Sequence, residues 1–418
     1  MEDESTLSDA LLRQLIAVGQ VDILVGLATL NNAATIVDVV RAVNVCFTRD
    51  FPRLRTVLIN SDGGSTDGTP ELIRAASFTE GDVVQTSHSL RTLHRVVAPY
   101  HGLPGKHTAL RTVFAAGVLA QAKALVVIDP SGPATTADRV TELISPIIRS
   151  DVEFLAPRYR RHPRDGVLIT QLVRPLVRAL YGVGLDEPLG AEFACSGRFA
   201  SHCLEQDIWN HDAARFATDL WLRTEAIAEG FAVGQIWRPA TTAAGTRTTL
   251  RDAVHQVVLS VIESLRAHEG FWLKATGIAA LRTWGNDPVV VPDATTWDYQ
   301  GLAEQAHHDI VELKPLIEEV LEPSAFAQVL DGRTGGDVQL DDELWVRIVY
   351  AFAAATHLGP TGVEHLAEMF APLYMWRASA FMSRTALEPP ASVQARLDSL
   401  CETFVRLKPV IIANWARV

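Results

Sequence analysis

Hydrophobic positions change their period several times along the chain. Leu7, Leu11, Leu12 and Leu15 recur at helical spacing and predict a short helix within residues 5–18. An apolar run of strand length follows, Val21-Asp22-Ile23-Leu24-Val25-Gly26-Leu27-Ala28. From Ala33 the period returns to a helix, with Ile36, Val39, Val40, Val43 and Phe47 on one face. Thr56-Val57-Leu58-Ile59-Asn60 reads as a second strand, closed by a Gly/Ser/Asp turn and followed by a helix through Leu72 and Ile73. A helix over about 107–121 precedes Ala124-Leu125-Val126-Val127-Ile128-Asp129, which is apolar on both faces, as a parallel strand covered by helices should be. This strand–helix alternation predicts a doubly wound α/β sheet, with ligands placed at the carboxyl ends of its strands.

From 151 to about 270 the pattern is less regular: a strand near 154–159, helices near 166–181 and 212–230, and a strand at 233–239. Leu250, Val254, Val257, Val258, Val261, Ile262 and Leu265 then line one face of a long helix. The turn-rich segment 283–300 marks a boundary, and beyond it helices are predicted at 301–321, 342–356, 362–382 and 391–416. The expected division is therefore an α/β domain over 1–282 and an all-helical domain over 296–418. Trp345, Tyr350, Phe352, Phe370, Tyr374, Trp376 and Phe381 are expected to form the core of the latter.

A length of 418 residues agrees with two domains. Charge adds a constraint: 37 Lys+Arg against 49 Asp+Glu give a net charge of −12, which opposes nucleic acid and anionic membrane as partners. An anionic ligand would need a local positive site, and lysines are scarce: Lys106, Lys123, Lys274, Lys314 and Lys408 are the whole set. The four cysteines, Cys46, Cys195, Cys203 and Cys401, show no zinc spacing and read as buried free thiols of a reducing compartment. The acidic start Met1-Glu2-Asp3-Glu4-Ser5 is unlike a signal peptide, so a soluble cytoplasmic protein is expected.

Four loops fall where strands of the α/β part end. Ala28-Thr29-Leu30-Asn31-Asn32 reads either as an Asn-rich turn with a helix cap or as part of a site. In Asn60-Ser61-Asp62-Gly63-Gly64-Ser65-Thr66-Asp67-Gly68-Thr69, the glycines let backbone approach a ligand, and Asp62 and Ser65 suit a base or ribose. It is neither the GxGxxG of a dinucleotide fold nor a P-loop. Gly102-Leu103-Pro104-Gly105-Lys106-His107 opens a helix, where dipole and ammonium together suit a phosphate. Asp129-Pro130-Ser131 closes an apolar strand; Asp129 there suits a metal or ribose, or simply ends the strand.

In this order the loops resemble those of the GT-A glycosyltransferases that use nucleotide sugars. The similarity is closest to the retaining branch that contains glucosyl- and mannosyl-3-phosphoglycerate synthases and glucosylglycerate synthases. Leu27-Ala28-Thr29-Leu30-Asn31-Asn32 resembles that family's Pro-Ala-Leu-Asn-Glu-Glu, and Ser61 to Asp67 its uracil-binding loop. Gly105-Lys106-His107-Thr108-Ala109-Leu110 resembles Gly-Lys-Gly-x-Ala-Leu, and Asp129-Pro130-Ser131 its Asp-x-Asp. Further on, Thr170 to Leu180 resembles the helix beside the acceptor, and Arg158-Tyr159-Arg160-Arg161 a Tyr-Arg-Arg segment. Pro188-Leu189-Gly190-Ala191-Glu192-Phe193 resembles the Pro-Leu-Ser-Gly-Glu-Tyr loop, Phe216 to Asp219 an acidic helix start, and Gln256-Val257-Val258 an Arg-Gln-Val helix.

The resemblance implies a GT-A fold with a donor half over about 20–150 and an acceptor half over about 151–270. It implies transfer of a hexose from a UDP- or GDP-sugar to a small acceptor such as glycerate or 3-phosphoglycerate. Ala28, Leu30, Asn31, Asp62, Ser65, Lys106 and Asp129 fall at donor positions, Thr170, Glu192, Arg158 and Arg238 on the acceptor side, and Lys106, Glu192 and Asp219 at catalytic ones. A divalent cation, Mg²⁺ or Mn²⁺, would rest on Asp129. Against it, Ser131 stands where the second aspartate is expected, and 237–247 lacks the expected histidine, His255 being the nearest. Asn32 for Glu is a third departure. Arg158, Arg160, Arg161, Arg238 and Arg247, together with Lys106, are then candidate substitutes for the metal's charge. The alternative is a nucleotide-sugar-binding or scaffold protein without turnover. The helical C-terminal part is expected to serve as a homodimer surface or as a lid.

Overall fold

A computed structural model describes residues 7, 9–76, 82–87, 106–132, 135–210, 214–239, 250–288, 299–331, 333–334, 337–338, 340–358 and 362–416. In chain order, the first half contains α1 (Asp9–Val18), β1 (Ile23–Thr29), α2 (Ile36–Asp50), β2 (Thr56–Asp62), α3 (Thr69–Ala76), β3 (Asp82–Ser87), α4 (Lys106–Leu119), β4 (Ala124–Ile128), α5 (Ala137–Ile148) and β5 (Phe154–Arg160). There follow a π-helical turn, Ile169–Val173, that runs into α6 (Arg174–Tyr181), then β6 (Phe193–Ser196), α7 (Gly197–Leu204), α8 (Ala214–Ala228) and β7 (Val233–Pro239). The remainder is α9 (Leu250–Ala267), α10 (Glu269–Trp272), β8 (Thr283–Trp284), α11 (Tyr299–Glu312), α12 (Lys314–Val320), α13 (Pro323–Asp331), β9 (Arg333–Thr334), β10 (Asp337–Val338), α14 (Asp342–Leu358), α15 (Val363–Thr385) and α16 (Pro390–Trp415).

The chain forms two compact units. The first comprises Met1–Tyr159, Leu189–Thr246 and Leu281–Pro288, the second Arg160–Pro188, Arg247–Ala280 and Val289–Val418. The expected boundary near 282–296 follows the chain, but the units do not. Residues 160–188 and 247–280 pack with the C-terminal helices, because the apolar faces of α6 and α9 meet α16 and α15.

In the first unit, eight strands among the described residues make one sheet in the order β3-β2-β1-β4-β6-β5-β7-β8. β1 pairs parallel with β2 and β4, and β2 with β3, as the alternating pattern predicts. β1 and β4 are buried at every residue, which explains their unbroken apolar runs. A side chain at Gly26 of β1 would meet Val113 Cγ1 at 2.4 Å, so the glycine lets α4 lie close against the sheet. Short β6 interrupts the parallel order: it runs antiparallel to both β4 and β5, where the sequence suggested only a loop. Ile36, Val39, Val40 and Val43 of α2 join Leu143, Ile144 and Ile147 of α5 in the core on one sheet face.

Among its described residues the second unit is helical apart from the small β9–β10 pair and an isolated bridge between Val183 and Ala279. All seven aromatic residues expected in its core are buried. The predicted helix 301–321 is two helices, since Pro315 sits at the start of α12 and cannot continue α11. The π-turn before α6 also has a proline at its origin. Pro175 has no N–H to give the carbonyl of Gln171 four residues back, and the indole of Trp345 donates to that oxygen instead, at 2.9 Å. Arg377, buried, ties Gln171 Oε1 (2.9 Å), Leu340 O (2.9 Å) and Asp342 Oδ1 (2.6 Å). The Lys408 ammonium donates to Ala275 O (2.6 Å) and Leu180 O (3.1 Å), and burial pushes its pKa down. All four cysteines are free and buried, and burial raises the Cys46 thiol to about 11.

Candidate active site

The chain leaves β1 for β2 and β3 on one side and returns to β4 on the other, so the sheet's switch point lies between β1 and β4. Loops at the carboxyl ends of such strands form a crevice suited to ligands. Thr29 at the end of β1 stands in register with Asp62 at the end of β2.

Asp62 organises the loop that follows it. Only 2% exposed, it accepts the N–H groups of Gly64 (3.0 Å) and Ser65 (2.8 Å) on Oδ2, and the hydroxyls of Ser65 (2.6 Å) and Thr29 (2.8 Å) on Oδ1. Burial alone would raise its pKa, but the hydrogen bonds from Ser65, Thr29 and Gly64 together hold it below the usual carboxylate range. Expected to hold a nucleoside, Asp62 thus has both oxygens engaged inside the loop. Asn31 presents the outer edge. It adopts a left-handed backbone (φ 56°), donates its N–H to Ser65 Oγ at 2.8 Å, and accepts from Thr66 N at 2.9 Å. Asp67 clamps the same turn, accepting from Ala33 N at 2.8 Å and from the Thr69 hydroxyl at 2.6 Å. Exposed Asn31, Gly64 and Thr66 and half-buried Leu30 and Ser65 form the rim, while Ala28 lies beneath in β1.

Across the switch point, the loops after β1 and β4 are tied together. Asn32 Nδ2 donates to Ser131 Oγ at 3.0 Å, and the Thr35 hydroxyl donates to Pro130 O at 2.7 Å. Asp129 is half-buried, with Oδ1 accepting from Ser131 N at 2.9 Å.

Glu192 lies on the same sheet edge, since the next residue, Phe193, pairs with Val127 near the end of β4. Its Oε1 accepts from Arg238 Nε at 2.9 Å. Arg238, 3% exposed, also donates to Glu142 Oε2 (2.9 Å), Arg139 O (2.8 Å) and Trp237 O (3.2 Å). Four of its five N–H donors are engaged by these protein groups, so it holds Glu192 in place. The Arg158 guanidinium lies 4.2 Å over the Trp237 ring. Burial, then the charge of Arg238, lower the pKa of Arg139.

Lys106 opens α4 and places its Nζ 2.5 Å from Asp219 Oδ2 on α8, with side chains 13% and 7% exposed. Asp219 Oδ1 is buried and has no hydrogen-bond partner among the described residues. Arg223, with no exposed surface, donates to Asp219 O (2.6 Å), Gly190 O (2.6 Å) and Glu192 O (3.3 Å), and so fixes the backbones of both acidic candidates. Gly190 admits it: a Cβ there would lie 2.4 Å from Pro157 Cγ and 3.2 Å from Arg223 Nη2. Sequence reading missed Arg223, although an arginine four residues after Asp219, directly after Leu220-Trp221-Leu222, was a usable signal.

The remaining candidates fall elsewhere. Thr170 belongs to the helical unit, buried in the π-turn, with its hydroxyl 3.5 Å from Val167 O. Arg161 of that unit pairs with Glu187. Gly102 to Gly105, and 240–249 with Arg247, lie outside the described residues.

The donor set does not fit a protein-held divalent ion. Mg²⁺ and Mn²⁺ favour carboxylate oxygens, and among the described residues no three His, Cys, Asp or Glu side chains converge. Asp129 offers one carboxylate, and the Ser131 oxygen is engaged by Asn32.

No protein-family model matches the chain, and no curated protein matches it in sequence. Among solved structures it is similar to glucosyl-3-phosphoglycerate synthase from Mycobacterium tuberculosis. For that protein in complex with Mn²⁺, uridine diphosphate and glucosyl-3-phosphoglycerate, identity is 21%, with 62% of this chain and 84% of that one covered, at a TM-score of 0.42. A second crystal structure of the same synthase gives 22% identity, 62% and 85% coverage, and a TM-score of 0.41. A mycobacterial protein gives 21% identity, 62% and 78% coverage, and 0.43. Among the described residues, no helix is long and apolar enough to cross a membrane.

Proposed function

We propose that this chain is a retaining glycosyltransferase of the GT-A type. It moves a hexose from a nucleoside-diphosphate sugar to a small acidic acceptor such as glycerate or 3-phosphoglycerate. One observation carries the reading: a Gly/Ser/Asn rim and Asp129 flank the switch point of a parallel sheet, and the ion-paired Glu192 stands at the same edge. A nucleotide needs the former and a sugar-transfer centre the latter.

The Asn31–Ser65 rim takes the nucleoside, with Asp62 holding that loop in shape. Asp129 faces the sugar diphosphate at the end of β4. Glu192, oriented by Arg238, and Asp219, charge-balanced by Lys106, line the transfer side. Arg158 supplies a cation for the acceptor's carboxylate. The bond from the anomeric carbon to the phosphate oxygen breaks, and the acceptor hydroxyl bonds to the same face of that carbon. Its proton passes to the departing diphosphate, so the reaction needs no enzymic nucleophile. The net charge of −12 opposes nucleic acid as a partner, and a nucleotide-sugar donor suits a cytoplasmic setting.

The test is product formation from UDP- and GDP-hexoses with glycerate and 3-phosphoglycerate, wild type against Lys106→Ala. Transfer by the wild type and its loss in the variant is the expected result. Saturable nucleotide binding with no product for any pair would favour the second reading, a nucleotide-sugar-binding protein, for which the neutral Asn32–Ser131 pair speaks.

A further inference from the structure

The loops on either side of the switch point are joined by side chains that leave little for a cation. Asn32 is buried and fixed at three points: its N–H donates to Thr69 Oγ1 (2.9 Å), its Oδ1 accepts from Leu30 N (2.9 Å), and its Nδ2 donates to Ser131 Oγ (3.0 Å). Turning the amide away from Ser131 would break two side-chain bonds and leave a buried polar group unpaired. The Ser131 hydroxyl therefore accepts from Asn32, and what it offers a cation is a neutral oxygen where a divalent ion favours a carboxylate. Asp129, whose Oδ1 accepts from Ser131 N at 2.9 Å, is the one carboxylate that Asn32, Asp129 and Ser131 offer a cation. The Thr35–Pro130 bond at 2.7 Å straps the same two loops together a second time.

From this we infer that the chain binds its nucleoside diphosphate without a divalent cation, the neutral Asn32–Ser131 bridge standing where a metal site would need a second carboxylate. The inference rests on the nucleotide-sugar reading above. Nucleotide affinity is then insensitive to chelators.

The test uses the full chain freed of metal with a chelator. UDP and GDP are titrated calorimetrically and by thermal shift, with and without Mn²⁺ or Mg²⁺. The expected result is a stabilising nucleotide whose affinity changes by less than about twofold on adding metal. Stabilisation that appears only with metal overturns the inference and leaves the nucleotide reading standing. No binding in either condition overturns both. Ser131→Asp places a second carboxylate two residues after Asp129 and still accepts from Asn32. Its nucleotide affinity is expected to rise about tenfold or more with Mn²⁺, and Ser131→Ala is expected to show no such gain. Equal metal responses in Ser131→Asp and wild type, both with native circular dichroism, would remove the bridge from the explanation.

Discussion

Lys106 and Asp219, 113 positions apart, meet at 2.5 Å in a partly closed environment. Sequence reading placed the lysine against a diphosphate and the aspartate beside an acceptor; the structure makes them one ion pair. The two charges balance each other, and Asp219 keeps a buried oxygen with no hydrogen-bond partner among the described residues. Replacing either residue alone leaves an uncompensated charge in a poorly solvated place. Lys106→Met and Asp219→Asn should each lower stability by about 3–5 kcal/mol. In the double variant the losses should fall short of the sum by at least about 1 kcal/mol. Urea unfolding of the four proteins measures this, and strict additivity would show that the two are not coupled.

Asp62 predicts a pH signature. Its folded pKa lies below the usual value, so the stability it contributes is full above the unfolded carboxyl pKa of about 3.9 and is lost as pH falls through the folded value. Asp62→Asn should cost about 1–3 kcal/mol at pH 7, because an amide donor would face the donors of Gly64 and Ser65. The gap between variant and wild type should close in acid. A gap that stays constant from pH 7 to pH 3 would contradict this account.

Arg238 holds Glu192 and Glu142 with a fork that lysine cannot reproduce. Arg238→Lys should keep most of the fold and lose most of the turnover, whereas Arg238→Gln should also lower stability by about 3–5 kcal/mol. Comparing melting temperature with rate in both variants separates orientation of Glu192 from simple unfolding. Equal rates in Arg238→Lys and wild type would mean that the fork is not needed.

Lys408 works in the opposite sense to Asp62. Its pKa is depressed by burial, so the folded state is penalised while the amine must be charged. That penalty is full below the folded value and fades as pH rises towards the unfolded lysine value of about 10.4. Wild-type stability should therefore gain from this residue on the alkaline side, a gain absent in Lys408→Met. Melting curves of both proteins from pH 7 to 10.5 test it, and parallel profiles would refute it.

How far the sequence could be read depended on the range of the interaction. Strand and helix periods are local, so β1, β2, β4 and β7, with α2, α3 and α9, were legible to within a few residues. The switch-point loops were legible as Gly/Ser/Asn/Asp clusters. Whether Asp62 points at a ligand or into its own loop depends on Thr29, 33 residues away, and no local pattern encodes that. Asn32 and Ser131 looked like two unrelated departures from a family pattern. Across 99 residues they are a single hydrogen bond, so one change makes sense of the other. Short antiparallel β6 was missed because its four residues show no period, and the unit boundaries because α6 and α9 are amphipathic towards helices far along the chain.

The bond from Trp345 to the carbonyl of Gln171 bears on how the protein is made. The π-turn emerges from the ribosome long before the indole that satisfies it, 174 residues later. Until then residues 160–188 and 247–280 can pack on each other, through Tyr181 with Ser264 and Phe271, but the faces that α6 and α9 turn to α16 and α15 wait for those helices. A fragment cut at residue 288 would keep the strands of the sheet yet expose the faces that α6 and α9 turn to α16 and α15.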